Sequence, residues 1–348
     1  MPVFPNIIER QILRLNTVPT PLFDTLGAGA LRAVDVAVKL GIFETLGNDQ
    51  LSPAELAKRA NAEERGINIL LEALEAFGYV KKRDKLYSNT RMTAKWLLSS
   101  SPTNFSDWAV PLQRLQLEFW DEYLEDAIRL GKPPLTIYEW FDKQPERWKV
   151  AQAGFQCLAP VLAKVIVDKV QLPPRARRLV DVGGGHGLYS VEFCRKYPEL
   201  SAVVFDAPGA LKTARETIAQ EKMGDRVSMQ LGNFWKDELG SGFDVALLFN
   251  VIHGYAADQN LQLIYKIAGA LNPGGVIIIQ DLFRGPTLGP ATKALYRFWA
   301  LSFFATMGGQ LYTYKDVAPW LEKAGFTPRQ VRTRSFFLPY LITGTRKA

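Results

Sequence analysis

The sequence predicts an α/β protein with a doubly wound, mostly parallel sheet behind an N-terminal all-helical or winged-helix domain. After about residue 178, short apolar runs alternate with helical stretches, a pattern typical of parallel strands covered by helices on both faces. Before that point, amphipathic helical segments are interrupted by one pair of short strand-like segments. We therefore divide the chain at 1–100, 101–170 and 171–348, with the sheet in the last of these regions.

The N-terminal region begins with clear helix signals. Residues 52–55, Ser-Pro-Ala-Glu, have the form of a capping box with proline at the first helical position. Apolar residues at helical spacing in 67–77 predict a second helix that ends at Gly78. Residues 79–80 and 86–87 flank a charged turn and predict the hairpin of a winged helix.

The sheet is predicted from five short apolar runs. They lie at 179–182, 202–206, 227–230, 245–249 and 276–279. Two later segments, 336–338 and 340–342, are separated by Pro339 and predict antiparallel strands near the C-terminus.

Composition excludes several classes of protein. Two cysteines among 348 residues, Cys157 and Cys194, have no metal-ligand spacing, which argues against a zinc site or a disulfide framework. No apolar run is long enough to span a bilayer, and the first residues lack the pattern of a secretory signal. We therefore expect a cytoplasmic protein without a metal. The net charge is +7, but the basic residues lie in short separate clusters, which does not indicate a nucleic-acid surface.

The first predicted strand ends in a glycine-rich turn. The sequence Asp181-Val-Gly183-Gly-Gly185-His-Gly187 places glycines where a tight turn brings the backbone close to a ligand. A dinucleotide fingerprint has glycines at the first, third and sixth positions, whereas position 188 here is leucine. This spacing favours a cofactor that carries no phosphate.

Two further positions follow strands at the same sheet edge. Asp206 ends the second strand, where its carboxylate could accept hydrogen bonds from both hydroxyls of a ribose or cap the next helix. Asn233 and Phe234 follow the third strand, where they could contact an adenine ring or form a plain turn.

Several motifs in this order resemble the caffeic-acid and acetylserotonin type of O-methyltransferase. They are Leu179–Gly187, Phe205–Pro208, Asn272–Gly275, Gly308–Gly309 with Thr313, and Ala324–Phe326. The resemblance covers nearly the whole chain. It implies S-adenosylmethionine as the cofactor, a winged-helix domain in 1–100 that forms a homodimer, and a helical connector in 101–170 that contributes to the dimer and the acceptor pocket.

The resemblance also assigns cofactor contacts and marks departures. Gly183 matches the methionine end of the site and Asp206 the ribose end. Asn233 stands where the family usually has aspartate, and Phe234 matches its neighbour. The lysine or arginine that the family carries on the fourth strand falls at Phe249 or Asn250, so that we expect one cofactor contact to be missing or replaced.

The catalytic candidate is His253, at the carboxyl end of the fourth strand. The family has its catalytic histidine here in a His-Asp-Trp context, whereas this chain has His253-Gly-Tyr. A neutral imidazole is suited to removing the proton of an acceptor hydroxyl. Asp281 matches the first of two acidic partners in the family, and Leu311 stands at the second, so that one carboxylate is absent.

The segment 296–307 is rich in aromatic residues and in the family lines the acceptor pocket. We expect Phe298, Phe303 and Met307 to line a wide apolar pocket for a small aromatic or polyketide-like molecule. The altered histidine context leaves C- or N-methylation, or a loss of transfer, as an alternative. A DNA-binding regulator is a remote alternative, because the candidate recognition helix carries more glutamate than arginine.

Overall fold

The computed structural model describes residues 9, 11, 15, 21–157, 159–285, 287, 289–333, 335 and 338–347, with backbone alone for 22 and 23. These residues form two compact units, 1–113 and 114–348. The expected strand residues Phe336 and Phe337 lie outside the described part of the chain.

From residue 21 onward, the described part of the first unit contains five helices and a hairpin. The helices are α1 (Pro21–Lys39), α2 (Ile42–Leu46), α3 (Pro53–Ala60), α4 (Glu64–Ala76) and α5 (Arg91–Trp96), and the hairpin strands β1 (Val80–Arg83) and β2 (Leu86–Asn89) follow α4. Ser52 caps α3, where the expected capping box with Glu55 is present. Tyr87 is fully buried and joins β2 to the helical core through a bridge with Leu51. A short π-helical turn, Trp108–Leu112, closes the unit.

Helices precede the sheet in the second unit. They are α6 (Gln113–Leu130), α7 (Ile137–Asp142), α8 (Pro145–Gln156) and α9 (Ala159–Lys169). Among the described residues no single helix meets the length and hydropathy needed to cross a membrane, and only α8 and α9 together, which are bent against each other, do so.

The sheet then alternates with helices as the sequence predicts. Its elements are β3 (Arg178–Val182), α10 (Leu188–Lys196), β4 (Ser201–Asp206), α11 (Pro208–Gln220), β5 (Val227–Leu231), β6 (Phe243–Phe249), α12 (Ala257–Ala270), β7 (Leu271–Gln280), α13 (Pro290–Met307), α14 (Tyr314–Lys323), β8 (Phe326–Arg332) and β9 (Tyr340–Arg346). The strand order is β5-β4-β3-β6-β7-β9-β8, and β9 is antiparallel to both neighbours. The predicted fold class is confirmed.

Both faces of the sheet are buried, which explains the continuous apolar runs. Val245 and Leu247 of β6 pack into one core with α9, α10 and α11, whereas Ala246 and Leu248 pack into the other with α12 and α14. The chain moves outward from β3 in both directions, to β4 and to β6. The carboxyl ends of β3 and β6 therefore border a crevice of the kind that binds ligands in open α/β sheets.

Candidate active site

The turn after β3 depends on glycine at three positions. Gly183, Gly185 and Gly187 have φ angles of 71°, 52° and 73°, in the left-handed region that L residues avoid. A Cβ atom at Gly183 would lie 2.8 Å from the Cγ2 atom of Val251. The turn therefore brings bare backbone to the crevice, beside the loop that follows β6.

Beneath this turn lies the buried carboxylate of Asp181. One oxygen accepts a hydrogen bond from the Ser190 hydroxyl at 2.8 Å, whereas Oδ1 has no partner among the described residues. Burial raises the pKa of Asp181 to about 7. The Oε1 atom of Gln152, on α8, is also buried without a partner, at 3.9 Å from the position of a Cβ on Gly185. Two acceptor atoms near the turn thus lack a donor, which fits a ligand that supplies N–H groups.

Asp206 connects the glycine turn to the end of β4. Its Oδ2 atom accepts from the N–H of Gly185 at 2.8 Å, and Oδ1 accepts from the N–H of Ala207 at 2.7 Å. Burial raises the pKa of this carboxyl to about 6, and the two N–H donors oppose that rise. Each oxygen keeps a further lone pair for a ligand hydroxyl. The residue therefore shapes the turn and remains able to bind a ribose.

The residues expected around an adenine ring lie close by. The ring of Phe234 is 3.8 Å from the position of a Cβ on Gly183 and meets Tyr255 edge-on at 5.9 Å. The side-chain oxygen of Asn233 accepts from the N–H of Trp235 at 2.8 Å, so that contact with an adenine amino group needs its second lone pair. Asn250, exposed after β6, has a φ angle of 55° and donates its N–H to the Gln280 carbonyl at 2.8 Å.

His253 and Asp281 form a hydrogen-bonded pair at the ends of β6 and β7. The Nδ1 atom of His253 lies 2.6 Å from Oδ1 of Asp281, and the backbone N–H of His253 donates to Oδ2 at 3.3 Å. The carboxylate also accepts from the N–H of Leu282 at 2.7 Å. Only 2% of the Asp281 side chain and 12% of the His253 side chain are exposed. Because Nδ1 is engaged, Nε2 is the atom left to accept a proton.

Three residues whose role sequence analysis missed hold this histidine in place. Asn260, fully buried, donates to the carbonyls of Ile252 and Tyr255 at 2.8 and 3.1 Å. The Tyr312 hydroxyl donates to the Tyr255 carbonyl at 2.6 Å. A Cβ at Gly309 would lie 1.9 Å from the His253 carbonyl oxygen. Asn260 could have been found as one polar residue on the otherwise apolar face of α12.

The expected acceptor residues of α13 lie at different distances from the histidine. The Phe303 ring stacks on His253 with centroids 3.9 Å apart. The Met307 sulfur lies 3.2 Å from the position of a Cβ on Gly254. Phe298 packs on Trp120, with centroids 5.7 Å apart, and is 37% exposed. The structure therefore places Phe303 and Met307 against the turn 252–255 that carries His253, the catalytic turn. It places Phe298 nearer the N-terminal end of α13.

Two other side chains define the surroundings. Burial raises the pKa of Tyr138 above its usual range, and the charges of Tyr255, Asp206 and Asp281 raise it further. It is a residue that sequence analysis missed. Burial lowers the pKa of His186 to about 4, and its Nδ1 atom accepts from the N–H of Leu188 at 3.1 Å.

The position of the family's second acid is apolar here, and metal ligands do not cluster. Leu311 is buried, with 6% of its surface exposed. In the described ranges, no group of three His, Cys, Asp or Glu side chains is placed to hold a metal ion. Both cysteines are free thiols.

Comparison with known proteins identifies both parts of the chain. The O-methyltransferase domain family matches residues 122–327, and the O-methyltransferase dimerisation domain family matches residues 26–100. The chain is 29% identical over 330 residues to 3-hydroxy-5-methyl-1-naphthoate 3-O-methyltransferase of Streptomyces sahachiroi, covering 92% of each chain. It is 26% identical to 3-amino-4-hydroxybenzoate 4-O-methyltransferase of Streptomyces cremeus, covering 87% of this chain and 83% of that one.

The fold is shared with a solved enzyme. Human N-acetylserotonin methyltransferase in complex with S-adenosylmethionine superimposes with a TM-score of 0.80 at 22% identity, over all of both chains. The glycine turn, the unpartnered acceptors of Asp181 and Gln152, and the carboxylate of Asp206 fit that cofactor. The chain therefore belongs to the O-methyltransferase family and is an S-adenosylmethionine-dependent O-methyltransferase.

Proposed function

We propose that the enzyme methylates a hydroxyl group on a small aromatic molecule, with His253 as the general base. The hydrogen bond between His253 and Asp281 is the observation that carries this proposal. The two relatives above are named for a ring hydroxyl of a naphthoate and of a benzoate, which supports an aromatic acceptor. The Phe303 ring beside His253 offers such a ring an apolar surface.

The turn after β3 and the loops that follow β4, β5 and β6 would hold the cofactor. The backbone of Gly183, Gly185 and Gly187 would bind its methionine part, and Asp206 would accept hydrogen bonds from its ribose hydroxyls. Asp181 and Gln152 would offer their unpartnered oxygens to the methionine ammonium group. Asn233, Phe234 and Asn250 would bind the adenine side. When bound, the cofactor supplies an electrophilic methyl group on a sulfonium.

The protein's own residues orient the acceptor and move its proton. Asp281 fixes the His253 ring through Nδ1, so that Nε2 accepts the proton of the acceptor hydroxyl as the oxygen is methylated. Asp281 also stabilises the imidazolium that results, because its carboxylate lies 2.6 Å from the ring nitrogen. Phe303 and Met307 exclude water from this side of the ring, while Phe298 lies further along the same pocket wall.

The N-terminal unit serves in assembly rather than in DNA binding. We assign it as a winged-helix domain, because α3 and α4 precede a hairpin as in that motif. A groove of about 450 Å³ between α1 and α4 is mainly apolar, and Val36 beside it is 44% exposed. Such a face fits a second copy of the chain. The exposed glutamates of α4 would repel phosphates. We retain 1–100, 101–170 and 171–348 as the functional divisions and the cytoplasm as the location.

One experiment tests the chemistry. The enzyme is incubated with methyl-labelled cofactor and a panel of naphthols, hydroxybenzoates and quinols, and each product is mapped by NMR. Label on a ring oxygen supports the proposal, whereas label on carbon or nitrogen supports the alternative chemistry. No transfer to any phenol, in a protein that binds S-adenosylhomocysteine, contradicts the aromatic hydroxyl as the acceptor.

A second experiment tests the assembly. Light scattering should give twice the 39.0 kDa mass of the chain, and Val36→Glu should shift the particle toward one copy because it places a charge in the apolar groove. A single-copy mass for the unaltered protein contradicts the dimer.

A further inference from the structure

A basic groove lies beside the catalytic turn and has no part in the steps above. Its volume is about 510 Å³, and its wall includes Arg284, Lys293, Tyr296, Arg297, Ala300 and Leu311. The Tyr296 hydroxyl points across it, because this atom lies 3.0 Å from the position of a Cβ on Gly285. The groove thus combines three cationic side chains, a hydroxyl and two apolar side chains.

The cations of this basic groove are not neutralised. In the part of the chain that the structure describes, the side chains of Arg284, Lys293 and Arg297 have no ion-pair partner. The sequence from 282 to 315 contains no acidic residue. Asp316 follows, but its carboxylate accepts from the N–H and hydroxyl of Thr313 at the start of α14. Three like charges in one concave surface attract an anion.

The basic groove and the catalytic pair are built by the same three segments. Arg284 lies three residues after Asp281 and donates its backbone N–H to the Tyr312 carbonyl at 2.8 Å. On α13, Ala300 is one turn before Phe303, the ring that stacks on His253. Leu311 lies two residues after Gly309, which packs directly on the His253 carbonyl. The two sites are therefore neighbours.

We propose that the acceptor is an aromatic acid whose carboxylate binds in this basic groove while its hydroxyl lies at His253. The inference rests on the proposed function. Arg297 precedes Phe303 by six residues, about 9 Å along the helix axis, a span that suits two fused rings. Arginine binds carboxylates through two parallel hydrogen bonds, with Lys293 and Arg284 adding charge. Ala300 and Leu311 contact the ring between the two ends. A free inorganic anion shares this chemistry and is the other possible occupant.

Turnover of matched acceptors tests the proposal. The full-length enzyme is assayed with 6-hydroxy-2-naphthoic acid and with its primary amide, which differ in charge at one end. We expect kcat/KM to favour the acid at least tenfold, and Arg297→Gln to reduce this preference about tenfold, mainly through the KM of the acid. High salt should reduce it as well, because the groove is open to solvent. Arg329→Gln, an exposed arginine of β8, is the matched control and should keep the preference. Equal turnover of acid and amide, or a preference that Arg297→Gln does not change, overturns the proposal.

Binding without chemistry separates this proposal from the proposed function. The S-adenosylhomocysteine complex is titrated with 2-naphthoate, which has no hydroxyl to methylate. If the affinity for 2-naphthoate falls about 100-fold in the Lys293→Gln/Arg297→Gln double variant, the result supports carboxylate binding in the basic groove. That conclusion stands even if the enzyme methylates no hydroxyl and the proposed function fails. Tight binding of inorganic phosphate that depends on these two residues, with 2-naphthoate and its amide bound equally, overturns the proposal in favour of a separate anion site.

Discussion

Gly309→Ala is the sharpest test of how the fold holds the catalytic histidine. A Cβ atom at this position would lie 1.9 Å from the His253 carbonyl oxygen and 2.6 Å from the carbonyl carbon of Gly254. Both contacts are with backbone, which cannot rotate away as a flexible side chain does. The two segments must separate by about 1.5 Å to reach an ordinary van der Waals distance.

The expected effect is larger on the rate than on cofactor binding. Moving the 252–255 turn strains the hydrogen bonds from Asn260 and Tyr312 and displaces the His253 ring from its place beside the crevice. A misplacement of about 1 Å can cost about 100-fold in rate, because transfer depends on alignment of the reacting atoms. Overpacking of this kind destabilises a protein by about 1–3 kcal/mol. Affinity for S-adenosylhomocysteine should change little, because Gly183 and Asp206 lie on other strands.

The measurement combines single-turnover methyl transfer, calorimetric binding of S-adenosylhomocysteine and thermal unfolding. Gly269→Ala is the matched control, because a Cβ at this helical position meets nothing within 4 Å and should raise stability slightly. If Gly309→Ala keeps the full rate and the same melting temperature, the close packing of Gly309 on the catalytic turn does not position the base.

Three further predictions concern the carboxylates and the base. His253→Gln should lower the rate of methyl transfer about 10²–10⁴-fold in single-turnover assays and leave cofactor affinity nearly intact. Asp281→Asn should lower the rate less. Near-normal turnover of His253→Gln would exclude a base at this position. Asp206→Ala should weaken cofactor binding about 10- to 100-fold by calorimetry, since ribose hydroxyls lose an acceptor; unchanged affinity removes this residue from the site. Burial raises the pKa of Asp181 to about 7, so that the folded state binds a proton at this carboxyl more tightly than the unfolded state does. The free energy of unfolding that this proton contributes is present at low pH and is lost as the pH rises through about 7. The ligand-free protein should therefore melt higher at about pH 5.5 than at about pH 8, and Asp181→Asn should reduce that difference; an unchanged difference would assign it to other groups.

The sheet could be predicted because its strands are buried on both faces. Residues 245–249 are continuously apolar, since alternate side chains enter different cores, and the same holds for 276–279. The predicted capping box at 52–55 also depends on local chemistry alone. The pairing of β9 with β7 could not be predicted in register, because it depends on contacts between distant segments rather than on local pattern.

Sequence reasoning places the candidate site residues better than it finds what supports them. A glycine turn, an acid at a strand end and a histidine after the next strand each have a local signal. The role of Gly309 has no local signal. This position has no room for a Cβ atom because the backbone at His253, 56 positions earlier in the chain, packs against it. Tyr138 likewise comes from a helix before the sheet, and only the fold brings it within the electrostatic influence of Asp206 and Asp281.

Leucine at position 311 leaves the cations of the basic groove without a neighbouring carboxylate at this position. The family resemblance places a second acid at this position, where it would help to orient the histidine. Here the side chain is buried and lines the basic groove together with Arg284 and Arg297. A carboxylate at this point would pair with those cations and repel an anionic acceptor. Asp281 is then the carboxylate that orients the His253 ring, and three hydrogen bonds from His253 and Leu282 hold this carboxylate in one place. The departure that raised doubt about the base in the sequence is therefore compatible with base catalysis, and it leaves the groove's positive charge available to a substrate.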